Sequence, residues 1–161
     1  MKKSILLFVI TVMSIYGMNA QDIKLGLNLG LPTGDIKDAY TFNLGVNASC
    51  LWQVSEEFDA GFIAEYSHFF GDSFDGFDIE DAGFLPIAAA GRINLSGGFT
   101  LGADLGYALG ISPEGNDGGF FYQPKVQYGI TEKIDILLSY KGISVDGGTF
   151  STINVGVEFG I

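Results

Sequence analysis

Residues 99–111 read FTLGADLGYALGI, and the order is an alternation. Phe99, Leu101, Ala103, Leu105, Tyr107, Leu109 and Ile111 take one phase; Thr100, Gly102, Asp104, Gly106, Ala108 and Gly110 take the other. Successive side chains of a strand point to opposite faces, so this is a strand with one oily face and one small, polar face. The pattern recurs in residues 23–31, 40–52, 58–68, 85–93, 120–130, 134–142 and 152–161. No stretch after residue 20 carries the 3.6-residue period of an amphipathic helix.

The connections alternate as well. Residues 54–57, 96–98 and 131–133 are tight turns, whereas 32–39, 70–84, 112–119 and 144–150 are longer polar segments. Short turns on one side and long loops on the other describe an all-β, eight-stranded antiparallel up-and-down transmembrane β-barrel. Runs of 9 to 13 residues suit a tilted crossing. Both ends of the barrel segment then lie on the short-turn, periplasmic side. Period two alone also fits a soluble sandwich or a lipocalin-like barrel, but there the oily face lines the core or the cup.

Charge placement separates these readings. Nine charged residues fall within the alternating runs: Lys24, Asp59, Glu65, Arg92, Asp104, Lys125, Asp135, Lys141 and Glu158. All nine take the polar phase, four basic and five acidic. A Lys or Arg facing lipid at the midplane costs roughly 2–4 kcal/mol, which explains the segregation. A narrow eight-stranded lumen is filled by side chains, and charges buried there must pair. A cross-lumen charge network of these nine residues is therefore expected. Glycines such as Gly26, Gly45, Gly102, Gly106 and Gly156 share the inner phase and leave room for it. An open, ion-conducting lumen is the alternative.

Composition agrees with a lipid-facing chain. The 161 residues carry 19 acidic and 8 basic side chains, a net charge of −11, yet only 17% are charged and 47% are hydrophobic. Glycine contributes 24 residues, about twice average usage. With 8 basic residues against 19 acidic there is no basic surplus to neutralise phosphates, which argues against nucleic-acid binding. The single cysteine, Cys50, rules out an internal disulfide framework; it takes the lipid phase and reads as a small hydrophobe. Residues 1–20 read as a signal peptide: Lys2 and Lys3, an apolar run over 5–16, then Ala20 before Gln21. That run is too short to span a bilayer, so a retained anchor is disfavoured. Residues 21–161 form the barrel.

Aromatic residues sort by height. Trp52, Phe58, Phe99, Tyr128 and Phe159 lie near the short turns. Tyr40, Phe42, Tyr66, Tyr107, Phe120, Tyr122, Tyr140 and Phe150 lie near the long loops, and the two sets form girdles at headgroup level. Pro86 and Pro124 each remove a ladder donor, so a bulge or a local ladder break is expected at both.

Chemistry-bearing residues are few. His68 is the only histidine, and neighbouring Ser67 points to the opposite face, so no catalytic residue is assigned. The second long loop carries Asp72, Asp75, Asp78, Glu80 and Asp81 interleaved with Phe74 and Phe77. Hard oxygen ligands suit calcium or magnesium, but the spacing is not that of an EF-hand. The loop reads as a solvated acidic surface, with a divalent cation there, bridging to lipopolysaccharide, as the functional alternative. No pattern calls for a cofactor.

The stretches KLGLNLGLPTGD, FTLGADLGYALGIS, FFYQPKVQYGI and INVGVEFGI resemble small outer-membrane β-barrel proteins of Gram-negative bacteria. The nearest likeness is to compact eight-stranded OmpX-like and OmpA-type barrels, and it covers residues 21–161. The resemblance implies a place in the cell outer membrane among its lipid and lipopolysaccharide. It also implies recognition of the last strand by the barrel-assembly machinery, where this chain offers Phe159 and Ile161. The function expected is a structural or surface-interaction role through the acidic extracellular loops, with the lumen closed. Passage of small solutes, hydrophobic ones among them, is the alternative, and a lipid-modifying enzyme is a distant third.

Overall fold

The structure, a computed structural model, describes residues 21–74 and 76–161; the segment expected as a signal peptide and the loop residue Asp75 lie outside the described residues. Among the described residues stand eight long strands: β1 Gln21–Thr33, β2 Tyr40–Gln53, β3 Phe58–Gly71, β6 Ala82–Asn94, β7 Phe99–Ser112, β8 Gly119–Thr131, β9 Ile134–Val145 and β10 Gly148–Gly160. Between β3 and β6 stands a short hairpin of β4 Ser73–Phe74 and β5 Phe77–Asp78, turned at Gly76 with φ +83°. The long strands close in the order β1-β10-β9-β8-β7-β6-β3-β2, every neighbour antiparallel. Closure pairs both edges, which is what allows strands to cross a bilayer.

The alternation decides what faces where. The leucines of β1, Leu25, Leu27, Leu29 and Leu31, are about half exposed, whereas Asn28 between them is buried in the lumen. An aliphatic belt therefore faces outward and the polar phase faces inward. Outward aromatics pair across strands near both rims: Phe99 with Tyr128 at 4.9 Å, and Phe42 stacked on Phe70 at 4.2 Å. Tyr122 lies over Gly142 of the neighbouring strand, and a Cβ at Gly142 would make its ring move.

Three details depart from the sequence expectation. Tyr40 and Phe150 do not join the outer girdle. A register shift between Tyr40 and Phe42 inverts the phase of β2, placing Tyr40 opposite Gly71 on the inner side. Phe150 pairs with the buried Ile143 and shares its inward phase. The segment 144–150 is not a long loop. Strands β9 and β10 extend until only Asp146 and Gly147 remain, Gly147 with φ +94°, the Asp-Gly pair that favours a tight hairpin turn. The segment 70–84 likewise contains the β4–β5 hairpin.

At the prolines the ladder breaks without bulging. Between β3 and β6, Ala64 faces Ile87 and Ser67 faces Phe84 in one register, with no pairs across Pro86. Between β8 and β9, Tyr122 faces Gly142 and Lys125 faces Ser139, again in one register across Pro124.

Candidate functional site

Side chains from every wall meet in the lumen, and they stack in layers. At the periplasmic end Lys24 on β1 donates to Asp135 on β9 at 2.7 Å and lies 3.3 Å from Asp22. Asp59 accepts from Asn94 Nδ2 at 2.7 Å. Asp22, Lys24, Asp59, Arg92 and Asp135 line a space of about 20 Å³, roughly the room of one water.

Above this vestibule runs a chain of four charges. Arg92 Nη1 on β6 donates to Asp104 Oδ1 on β7 at 2.6 Å. Asp104 Oδ2 lies 2.8 Å from Lys125 Nζ on β8, which lies 3.6 Å from Glu158 Oε1 on β10. Gln127 donates to the other Glu158 oxygen at 2.7 Å. Each charge is buried, and the chain sums to zero. Uncompensated charges in a dry interior cost several kcal/mol each, so alternation of sign is what makes this layer tolerable. Gly102 sits against Arg92: a Cβ there would lie 2.8 Å from Arg92 Cδ.

Higher still, Lys141 on β9 reaches Glu65 on β3. These strands are four apart in either direction around the barrel, so the pair spans its diameter. Lys141 Nζ also donates to Asn43 Oδ1 and Ser67 Oγ, both at 3.1 Å, and Asn28 Nδ2 donates to the second Glu65 oxygen at 3.4 Å.

The extracellular end of the lumen is apolar. Phe69, Phe84, Phe121 and Ile143 are fully buried there. Phe69, Phe84 and Phe150 meet edge-on with centroids 4.9–5.7 Å apart, and Tyr40 packs on Phe69 and Phe150. The first loop folds over this stack: Ile36, in a 3-10 turn over Gly34–Ile36, is buried against it. Asp35 holds the turn down by accepting from the Thr149 amide at 3.2 Å.

Of the nine charges named from the sequence, eight stand in ion pairs. Asp59 does not. It is directly opposite Arg92 in the β3–β6 register, but Arg92 turns toward Asp104 and leaves Asp59 with the Asn94 amide. The aromatic stopper was not anticipated. Its signal is the doublets Phe69–Phe70 and Phe120–Phe121, because adjacent strand residues cannot both face lipid.

Outside the lumen, His68 faces outward at the extracellular rim. Its Nε2 lies 3.0 Å from Asp81 Oδ2 and its Nδ1 lies 3.2 Å from Tyr66 Oη. Ser67 points inward onto Asn43 and Lys141, so it does not share a site with His68. Ser73 donates to Asp78 at 2.7 Å. Asp72 accepts from the Ser73 amide and Asp81 from the Gly71 amide, at 2.7 and 2.9 Å. The Gly71 N–H, and after it His68, hold the Asp81 carboxyl below the usual carboxylate range. Among the described residues no three His, Cys, Asp or Glu side chains converge on a metal-sized space.

This geometry, a closed antiparallel barrel with a packed polar lumen and an oily exterior, has counterparts. The structure of the Yersinia pestis outer membrane protein Ail in a phospholipid bilayer nanodisc superposes with a TM-score of 0.59, at 17% identity over 88% of this chain and 98% of that one. Ail was also crystallised with the heparin analogue sucrose octasulfate; that structure gives a TM-score of 0.56 at 17% identity over 88% and 97% of the two chains. Neisserial surface protein A gives 0.53 at 14% identity, covering 88% of this chain and 97% of that chain. These likenesses concern the fold. No curated protein sequence matches the chain. The family model described as "Outer membrane protein beta-barrel domain" matches residues 5–159. With that match running almost end to end, the chain belongs to the outer membrane protein β-barrel domain family and resides in the outer membrane of Gram-negative cells.

Proposed function

We propose that the protein is a closed, non-catalytic surface barrel whose working parts are its extracellular loops. The carrying observation is the Lys141–Glu65 pair, which spans the lumen directly beneath the aromatic stopper. Passage of a solute, polar or hydrophobic, would have to break that pair and displace Ile36. The nine-residue charge network is then structural: it fills and neutralises a narrow lumen. Purified protein in planar lipid bilayers is expected to give no steady conductance. Sustained open steps would overturn the reading in favour of a passage channel.

The loops themselves limit the partner class. Residues 34–39, 72–81, 113–118 and 146–147 carry ten acidic residues and one base, Lys37. A polyanion such as the heparin analogue bound by Ail would be repelled by such a face. Basic or divalent-bridged surfaces, lipopolysaccharide among them, suit it better. Asp72, Asp78 and Asp81 each already accept a hydrogen bond, so a bridging cation at Asp72, Asp75, Asp78, Glu80 and Asp81 would have to share them. Export by the leader at residues 1–20 and assembly through the outward-facing Phe159 and the terminal Ile161 complete this proposal.

A further inference from the structure

The outer wall is not uniform. One furrow of about 620 Å³ crosses it, lined almost wholly by aliphatic side chains. Its upper bank is a row of directly paired residues on five neighbouring strands: Leu44, Leu29, Val155, Leu138 and Val126. The lower bank is the row Leu27, Val157, Ile136 and Tyr128. Between the banks the side chains of Asn28, Leu137 and Gln127 turn into the lumen and Gly156 has none, so the floor there is backbone. On β10 both banks carry a short valine, Val155 above and Val157 below, which deepens the trough there.

Five strands span about 19 Å at the usual strand spacing. One leaflet of hydrocarbon is about 15 Å thick, so a single acyl chain lying obliquely fits this length. The furrow starts low, at Tyr128, three residues above the end of β8, and climbs to Leu44, four residues below the start of β2. Tyr128 is an interfacial residue whose ring can lie on the chain while its hydroxyl reaches the headgroup. Beneath it is the β8–β9 turn, and there Lys133 is exposed. Of the residues in the three periplasmic turns, only Lys133 is basic. Glu132 beside it keeps the turn neutral, which suits one phosphodiester rather than a multiply charged group.

We propose that this furrow is a binding site for one glycerophospholipid of the periplasmic leaflet, with an acyl chain between the two banks and its phosphate on Lys133. A second furrow of about 500 Å³ shares Val126 and Leu138 with the first but runs on to Leu101 of β7, and the turn at residues 96–98 below that end has no base, so Leu101 serves as the control.

The test is native mass spectrometry of the intact barrel released from bilayers containing phosphatidylglycerol. The wild-type protein is expected to retain one phospholipid. Val155→Trp with Val157→Trp, which fills the trough from the lipid side, is expected to abolish retention. Lys133→Gln is expected to weaken it about fivefold, the worth of one surface lysine at an anionic lipid. Leu101→Trp is expected to leave it unchanged. Heat-dependent gel mobility identifies folded variants. Retention that survives the double tryptophan variant, or that is undiminished in Lys133→Gln, overturns the proposal, as does a wild-type mass of two barrels, which would assign the furrow to a second copy of the chain.

Discussion

Glu65 is 1% exposed and Lys141 is 0% exposed, so neither can exchange its partner for water. Removing one leaves the other charged and buried, at a cost of roughly 3–5 kcal/mol, whereas replacing both with apolar residues of similar size is often close to neutral. Urea unfolding in bilayers should therefore rank the variants in a telling order. Glu65→Leu and Lys141→Met are each expected to lower the midpoint strongly, and the double variant is expected to recover most of the loss. Losses that simply add would mean that the two residues are not coupled and that the pair does not hold the lumen. At this scale the sequence is only half legible. Alternation places nine charges on one face because lipid rejects them from the other. It does not say which charge meets which, because partners across a barrel depend on strand stagger. Lys141 and Glu65 are 76 residues apart and become neighbours only when the eight strands close. Asp59 and Arg92 are register partners, yet Arg92 turns to Asp104, which Lys125 also contacts.

Strand cores were easier to read than strand ends. The central alternations are set by bilayer on one side and lumen on the other, and those two surroundings leave little choice. Near the extracellular rim that constraint weakens, and backbone irregularity takes over. The register shift at Tyr40 turns one aromatic inward, and Phe150 follows its neighbours into the same stack. Asp146–Gly147 likewise read as loop material, although the pair is a two-residue hairpin turn. Pro86 and Pro124 behave as their missing N–H groups require, each interrupting one ladder while the register continues. The base of the second loop is held differently, by Asp81 on the Gly71 amide and on His68. The Gly71 N–H, then His68, lower the Asp81 pKa in the folded protein. A depressed carboxylate pKa stabilises the fold above the unfolded value of about 3.9, and the benefit is lost as pH falls through the lower, folded value. The Gly71 amide proton should accordingly show a chemical-shift titration with a midpoint below the ordinary Asp range, and Asp81→Asn should abolish it. A midpoint at or above the ordinary value would mean that the clasp does not bias the carboxylate.

For the whole molecule, closure is the property from which the rest follows. Every long strand has two partners, so there is no edge at which unfolding in detergent can begin by peeling one free strand. Opening the barrel anywhere exposes backbone N–H and C=O groups on two strands at once, and in hydrocarbon or a micelle interior no water is present to satisfy them. The same step uncovers the Arg92–Asp104–Lys125–Glu158 chain and the Lys141–Glu65 pair. These costs fall together, which makes the barrier high and the folded state kinetically persistent. That architecture was legible because one physical cause, lipid outside and a narrow polar bore inside, acts on every strand; the loops, which no single solvent rule governs, carry no comparable code for their partners. Persistence of this kind is read on a gel. Protein kept unheated in sodium dodecyl sulfate should stay a compact barrel and migrate ahead of the same sample after boiling. Glu65→Leu should convert to the slow form at a distinctly lower temperature than the wild type, because its lumen holds an unpaired Lys141, and Glu65→Leu with Lys141→Met should convert close to the wild-type temperature. If wild-type protein runs at one position whether heated or not, the barrel is not closed tightly enough to resist detergent, and the assignment of the charge network to its closure fails with it.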